Sequence, residues 1–195
     1  MMKESIPENV LIQQAQNGDV QAFETLVRQH EQSVLSLAFS IMGNLSDAKD
    51  VYQDAFIQVY RYLHTFRFES QFQTWLYKIV MHCALNMKRK GKRFLSVAFI
   101  NQETNEDFWQ QLPEQDACLP DQNVLNKEVW QVIETNLDKL SMMERVVFVL
   151  RYQQEFKLKE IAEITESSLG TVKNYLFRGT QKMKQCLKPY MKAEL

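Results

Sequence analysis

Helical periodicity runs along this chain in two blocks and fails between them, and that interruption limits the fold more than any other feature. From Val20 to Met42 the apolar residues Phe23, Leu26, Val27, Val34, Leu37, Ala38 and Ile41 recur at helical spacing. Gly43-Asn44 ends that segment. Ser46, with Asp47 in the first turn, is the expected N-cap of a second helix that buries Ala48, Val51, Tyr52, Ala55, Val59 and Tyr62 or Leu63. Ser70-Gln-Phe-Gln73 has the form of a capping box and is expected to open a third helix, which contains Trp75 and Leu76 and runs to about Lys90. Between Phe94 and Asn123 the period is lost in a stretch that contains Pro113, Pro120 and many amides, which reads as a linker that is extended or disordered in isolation. From Val124 the period returns with Val129, Val132, Ile133, Leu137 and Leu140, and Ser141-Met-Met-Glu144 is a second capping box. Two shorter helices follow, Lys157 to Ile164 and Leu169 to about Leu187, joined by Thr165-Glu-Ser-Ser168 in the shape of a helix-turn-helix. The fold class is all-α: two small helical domains, residues 1–93 and 124–195, joined by a linker at 94–123. Five Gly and four Pro in 195 residues argue against a strand-and-turn architecture.

A formal net charge of -1 conceals a pattern. Residues 1–93 hold 11 basic and 9 acidic residues, and residues 127–195 hold 12 and 9. Between them, 94–126 carry six acids and no base. Two mildly basic blocks flank an acidic tether, an asymmetry that says more about partners than the sum does. No apolar run is long enough to span a membrane, so no membrane insertion is expected, and the start MMKESIPENV lacks a secretory signal, so the expected location is cytoplasmic. Cys83, Cys118 and Cys186 are odd in number and far apart, so neither a disulfide framework nor a zinc site is expected. His30, His64 and His82 are scattered, and no phosphate loop or nucleophile motif occurs. The expectation is a protein that is no enzyme, with no catalytic residue, metal or cofactor.

The last helix carries the clearest signal. With Val172 at zero on a wheel of roughly 100° per residue, Leu176, Gly179, Met183 and Leu187 form the buried stripe. The opposite face holds Asn174, Phe177, Arg178, Gln181, Lys184 and Lys188, with Lys173 at its edge, and Ser167 to Lys192 contains six Lys or Arg and no acid. An unmixed basic face suits phosphate, and Asn174 and Arg178 can pair with base edges in a major groove. A protein-binding helical hairpin is the competing reading. On the third helix Trp75, Lys78, His82, Asn86, Arg89 and Arg93 share a face that ends in the run MKRKGKR. A stacking ring followed by a cationic track is equipment for single-stranded nucleic acid. The preceding Phe66-Arg-Phe68-Glu-Ser-Gln-Phe72 offers loop aromatics for an unstacked base. A core Trp with a basic helix end suited to the dipole is the alternative. The second helix exposes Asp50, Gln53, Asp54, Gln58 and Arg61 beside Phe56; such a face would repel DNA and fits a basic protein surface.

Three strings in order, DAKDVYQDAF (Asp47 to Phe56), FESQFQTWLYKI (Phe68 to Ile79) and EIAEITESSLGTVKNYLFRG (Glu160 to Gly179), resemble the signature segments of bacterial RNA polymerase sigma factors of the extracytoplasmic-function (ECF) group. The resemblance covers about Asp19 to Leu187. It implies a region-two domain whose Asp50, Gln53, Asp54 and Phe56 dock on the clamp helices of RNA polymerase core. It implies that Arg67, Phe68, Ser70, Phe72, Trp75, His82 and Asn86 open and hold the minus-ten element as single strand. Lys88, Arg89 and Lys90, within the basic run to Arg93, would grip promoter phosphates. A region-four domain would place Lys173, Asn174, Phe177, Arg178 and Gln181 on the duplex of the minus-thirty-five element. The acidic linker would thread the polymerase cleft along a path meant for nucleic acid, and an anti-sigma factor is implied as a further partner. The sequence departs from the family's habit at Lys49, where Glu is frequent, at His82 and Asn86, where Asn and Asp are usual, and at Asn174-Tyr175 in place of Ser-Arg. Promoter preference therefore does not transfer from the family.

The function expected is a sigma factor that joins RNA polymerase core and directs promoter-specific initiation. The rival is a conventional helix-turn-helix regulator that binds duplex DNA unaided as a symmetric dimer.

Overall fold

The computed structural model describes residues 6–92 and 127–191, with side chains for 6–89 and 130–188; every regular element among the described residues is helical. The chain divides into two units, Met1–Arg89 and Lys90–Leu195. The expected linker, 94–123, lies outside the described residues, as does the side chain of Lys90.

In the N-terminal unit, α1 (Glu8–Gln16), α2 (Val20–Met42), α3 (Leu45–Tyr62) and α4 (Phe72–Lys92) follow one another, with a 3-10 turn at Leu63–Thr65 after α3. Asp19 caps α2, its Oδ1 accepting from the backbone N–H of Gln21 and Ala22. Gly43 ends α2 at φ 81°, a left-handed conformation that glycine adopts without a Cβ penalty, and donates to the Phe39 carbonyl. Asn44, and not Ser46, caps α3: its Oδ1 accepts from Asp47 N–H at 2.8 Å. The backbone is already extended at Asn44, immediately after Gly43, so the helix begins at Leu45 and Ser46 falls inside the first turn. The capping box expected at Ser70–Gln73 does not form either. α4 starts at Phe72 with the Gln71 carbonyl accepting from Thr74 and Trp75, while the Gln73 amide donates to the Tyr77 hydroxyl. Burial of Phe72 (3% exposed) sets the start two residues beyond Ser70. Leu26, Val34, Leu37, Ala38, Ile41, Ala48, Val51, Ala55, Val59, Leu63, Leu76, Tyr77 and Val80 form the core, which Leu11 and Ile12 of α1 complete.

In the C-terminal unit, α5 (Lys127–Asn136), α6 (Met142–Tyr152), α7 (Leu158–Thr165) and α8 (Leu169–Met191) follow, with a 3-10 turn at Leu137–Lys139. The expected capping box opens α6: Ser141 N–H donates to Glu144 Oε2 at 2.9 Å and Glu144 N–H to Ser141 Oγ at 3.4 Å. α7 ends in a Schellman motif, with Ser167 N–H donating to the Ala162 carbonyl and Glu166 N–H to that of Glu163, and Glu166 at φ 50°. Ser168 Oγ then accepts from Thr171 N–H at the start of α8. Ile133, Val146, Val147, Phe148, Ile161, Ile164, Val172, Met183 and Leu187 are the core that holds α7 and α8 as a helix-turn-helix. No helix among the described residues is long and apolar enough to cross a membrane.

Candidate nucleic-acid interface

Four aromatic rings gather where the chain turns from α3 into α4. Phe66 is the hub, with ring centroids 5.0 Å from Phe68, 5.5 Å from Phe72 and 5.4 Å from Trp75. Phe66 and Phe72 are core residues, 6% and 3% exposed. Phe72 is therefore not the outward loop aromatic that the sequence reading made it: it opens a helix and packs on Phe66, Trp75 and His30. Phe68 takes the outward role, 43% exposed at φ 59°, a left-handed backbone that costs a non-glycine residue about 1 kcal/mol or more. Trp75 is half-buried, with Phe66 and Phe72 fixing its ring. Arg67 and Ser70 are exposed beside Phe68. Beyond Trp75, α4 carries half-buried Lys78 and then exposed His82, Asn86 and Arg89 on one face. Lys88 is turned to another task. Its Nζ donates to the Met42 carbonyl at 3.3 Å, a cation satisfying the end of α2 and not a side chain held out for phosphate.

On α3, Asp50, Gln53 and Asp54 are exposed, and half-buried Phe56 meets the edge of Tyr52 at 5.0 Å. This polar face borders an open groove between α2 and α3 lined by Phe23, Val27, Tyr52, Phe56, Ile57 and Tyr60. Ile57 and Tyr60, 49% and 63% exposed, were missed by sequence reasoning, although their apolar character at positions off the buried stripe was the signal. Burial pushes the Cys83 thiol up to about 11, and the Asp54 carboxylate adds to the effect. Among the described residues no group of three or more His, Cys, Asp or Glu side chains is placed to hold a metal ion.

The stripe of α8 is buried as its spacing predicts, with Val172, Leu176, Met183 and Leu187 no more than 6% exposed. Arg178, Gln181, Lys184 and Lys188 are exposed, and Lys173 and Phe177 half-buried. Asn174 departs from the wheel: it is 5% exposed, and its Oδ1 has no hydrogen-bond partner. The wheel gives an angle but no side-chain length.

Two family models match the chain, Sigma-70 region 2 over residues 26–94 and Sigma-70, region 4 over residues 131–183. The ECF RNA polymerase sigma factor SigW of Bacillus subtilis is 31% identical over 179 residues, covering 91% of this chain and 95% of that protein. The chain belongs to the ECF sigma factors. The ECF sigma-E factor of Escherichia coli K12 is 30% identical over 192 residues, covering 98% of this chain and all of that protein. As an ECF sigma factor the chain binds RNA polymerase core and directs promoter-specific transcription initiation. The rival reading as a self-sufficient dimeric regulator falls, because residues 26–94, ahead of the helix-turn-helix, match Sigma-70 region 2. Two solved structures share the fold at a TM-score of 0.64. One is CnrH in complex with the cytosolic domain of CnrY, at 22% identity and covering 93% of this chain and 97% of that one. The other is the sigma factor RpoE in complex with the anti-sigma factor NepR from Bartonella quintana, at 21% identity and covering 87% and 98%.

Proposed function

We propose that this sigma factor divides promoter recognition between its two units. In the N-terminal unit, Phe68, Trp75, His82 and Asn86 take the opened minus-ten strand, flanked by Arg67, Ser70 and Arg89 for phosphate and sugar. The observation that carries this reading is the pairing of an exposed ring, Phe68, with a fixed half-buried ring, Trp75, at the head of the outward track His82–Asn86–Arg89. Unpaired bases stack on such rings, while duplex DNA offers only its edges. In the C-terminal unit, Arg178 and Gln181 read the minus-thirty-five duplex, with Lys173, Phe177, Lys184 and Lys188 seating the helix. Asp50, Gln53 and Asp54 with Phe56 form the face for polymerase core, where the neighbouring apolar groove adds area. Its work is binding, with bond formation left to the polymerase, and it acts where the polymerase is, in the cytoplasm. An anti-sigma factor is a further partner on this reading, supported by the complexes in which related folds were solved.

The test is a gel shift with purified protein, with and without core polymerase, on a duplex that the reconstituted holoenzyme selects from a randomised library, followed by run-off transcription. Stable binding and transcript only with core support the reading. Equal binding without core overturns it.

A further inference from the structure

α1 lies ahead of the residues matched to Sigma-70 region 2, which begin at residue 26, yet it is tied to the aromatic turn at both of its ends. At its C-terminal end the Gln16 carboxamide donates from Nε2 to two carbonyls at once, Leu63 at 2.9 Å and Phe66 at 2.9 Å. Those carbonyls bracket the last step before the chain leaves the 3-10 turn for Arg67 and Phe68. At its N-terminal end Glu8 Oε1 meets His30 Nε2 at 2.9 Å, and the His30 ring packs on Phe72, its centroid 5.3 Å away. Between the ends, Leu11 and Ile12 are 1% and 2% exposed, so α1 is anchored in the core and its end groups are held in place.

From this geometry we infer that Gln16 is a positioning residue for promoter opening, its two N–H groups setting the backbone path that presents Phe68. The chemistry is specific to a two-donor side chain. Each carbonyl accepts one Gln16 hydrogen, and that of Leu63 also accepts from Phe66 N–H at 3.0 Å, so the carboxamide braces both the bond that closes the turn and the carbonyl at its exit. Phe68 also sits in a left-handed backbone conformation, which persists only where the flanking chain is fixed. Leu63 and Phe66 are buried, so what Gln16 secures is the exit from a rigid base toward a strained tip. The inference rests on the reading of residues 67–72 as the strand-opening loop.

The test uses the full chain assembled with core polymerase on a promoter selected by that holoenzyme. Gln16→Leu removes both donors at similar size, and Gln16→Lys restores donors to both carbonyls. Phe68→Ala reports on the loop itself. Gln16→Leu is expected to slow opening, followed by permanganate reactivity of the melted thymines, about tenfold. Core affinity and closed-complex affinity should stay within about twofold, and Gln16→Lys should recover most of the opening rate. Should Gln16→Leu fail to fold, Gln16→Met, which keeps the length of the side chain but has no donor, carries the same readings. Normal opening by Gln16→Leu alongside impaired opening by Phe68→Ala overturns the role of Gln16 and leaves the loop reading standing. Normal opening by Phe68→Ala overturns the loop reading and the inference with it. A parallel fall in opening, core affinity and thermal midpoint, unrelieved by Gln16→Lys, reduces Gln16 to a general structural part and also overturns the inference.

Discussion

Glu144 Oε2 receives the Lys182 ammonium at 2.6 Å and so joins the first turn of α6 to the middle of α8. The carboxylate is 6% exposed and also accepts from Ser141 N–H. Burial by itself raises this carboxyl's pKa, but the Lys182 and Ser141 hydrogen bonds and the Lys182 charge outweigh it and hold the pKa below its ordinary value. A depressed folded-state pKa gives stability that is complete above the ordinary carboxylate pKa and is lost as pH falls through the folded one. Glu144→Ala is expected to cost the C-terminal unit about 2 kcal/mol at neutral pH, from the lost charge-assisted bond and half a capping box. Chemical denaturation at pH 7 and at progressively lower pH checks both parts: the deficit of Glu144→Ala should shrink on acidification.

Gly179 faces the same residue from α8. A Cβ built there would sit 3.4 Å from the Glu144 carbonyl oxygen, 3.7 Å from its Cβ and 3.8 Å from Phe148 Cδ2, which is contact without overlap. Gly179→Ala is therefore expected to hold or raise stability by up to about 1 kcal/mol, through the helix propensity of alanine. Gly179→Leu has no such room and should lose roughly 1–3 kcal/mol by overpacking. Thermal unfolding of the two variants side by side separates the outcomes.

Glu166 holds a left-handed conformation in the turn between α7 and α8, at the position of the Schellman motif where glycine is preferred. Replacing it by glycine should stabilise the unit by about 0.5–1 kcal/mol, and replacing it by valine should destabilise it by at least as much. A thermal midpoint that falls for Glu166→Gly would contradict this account.

Arg178 is exposed on the acid-free face of α8, whereas Asn174 is buried. Arg178→Ala should weaken holoenzyme binding at the minus-thirty-five element by about 1–3 kcal/mol if the guanidinium pairs with a base edge. Asn174→Ala should leave that affinity nearly unchanged. Competition with a duplex scrambled only over this element distinguishes base reading from phosphate contact: equal losses on both duplexes assign Arg178 to phosphate.

Strong, repeated patterns were legible in the sequence. α2 occupies the span its periodicity gives, Ser141 and Glu144 form their box, and the Val172–Leu187 stripe is buried. α1 was not legible, because it is nine residues long and Gln-rich, with only Leu11 and Ile12 fully buried, too few positions to define a period. Its signals were Pro7 and Glu8, a plausible helix start in sequence. Phe72 and Asn174 were misplaced for a different reason. Spacing assigns a direction from the helix axis, but burial also depends on what the tertiary fold lays over that direction, such as Phe66 and His30 against Phe72. Lys88 was counted with the basic run, and its bond to a carbonyl 46 residues earlier could not be read from a local pattern.

The Glu144–Lys182 pair also sets how strongly α8 can hold DNA by charge. Of its five cations, one is neutralised within the fold, which leaves Lys173, Arg178, Lys184 and Lys188 on this helix. Each neutralised phosphate releases condensed counterions and adds about 0.9 to the slope of log affinity against log salt, so with Arg178 on a base edge and the three lysines on phosphate this helix would contribute a slope of roughly 3 in magnitude. That is shallow beside a dedicated repressor. With so modest an ionic grip on this helix, the C-terminal unit alone is not expected to become stranded on duplex DNA at large.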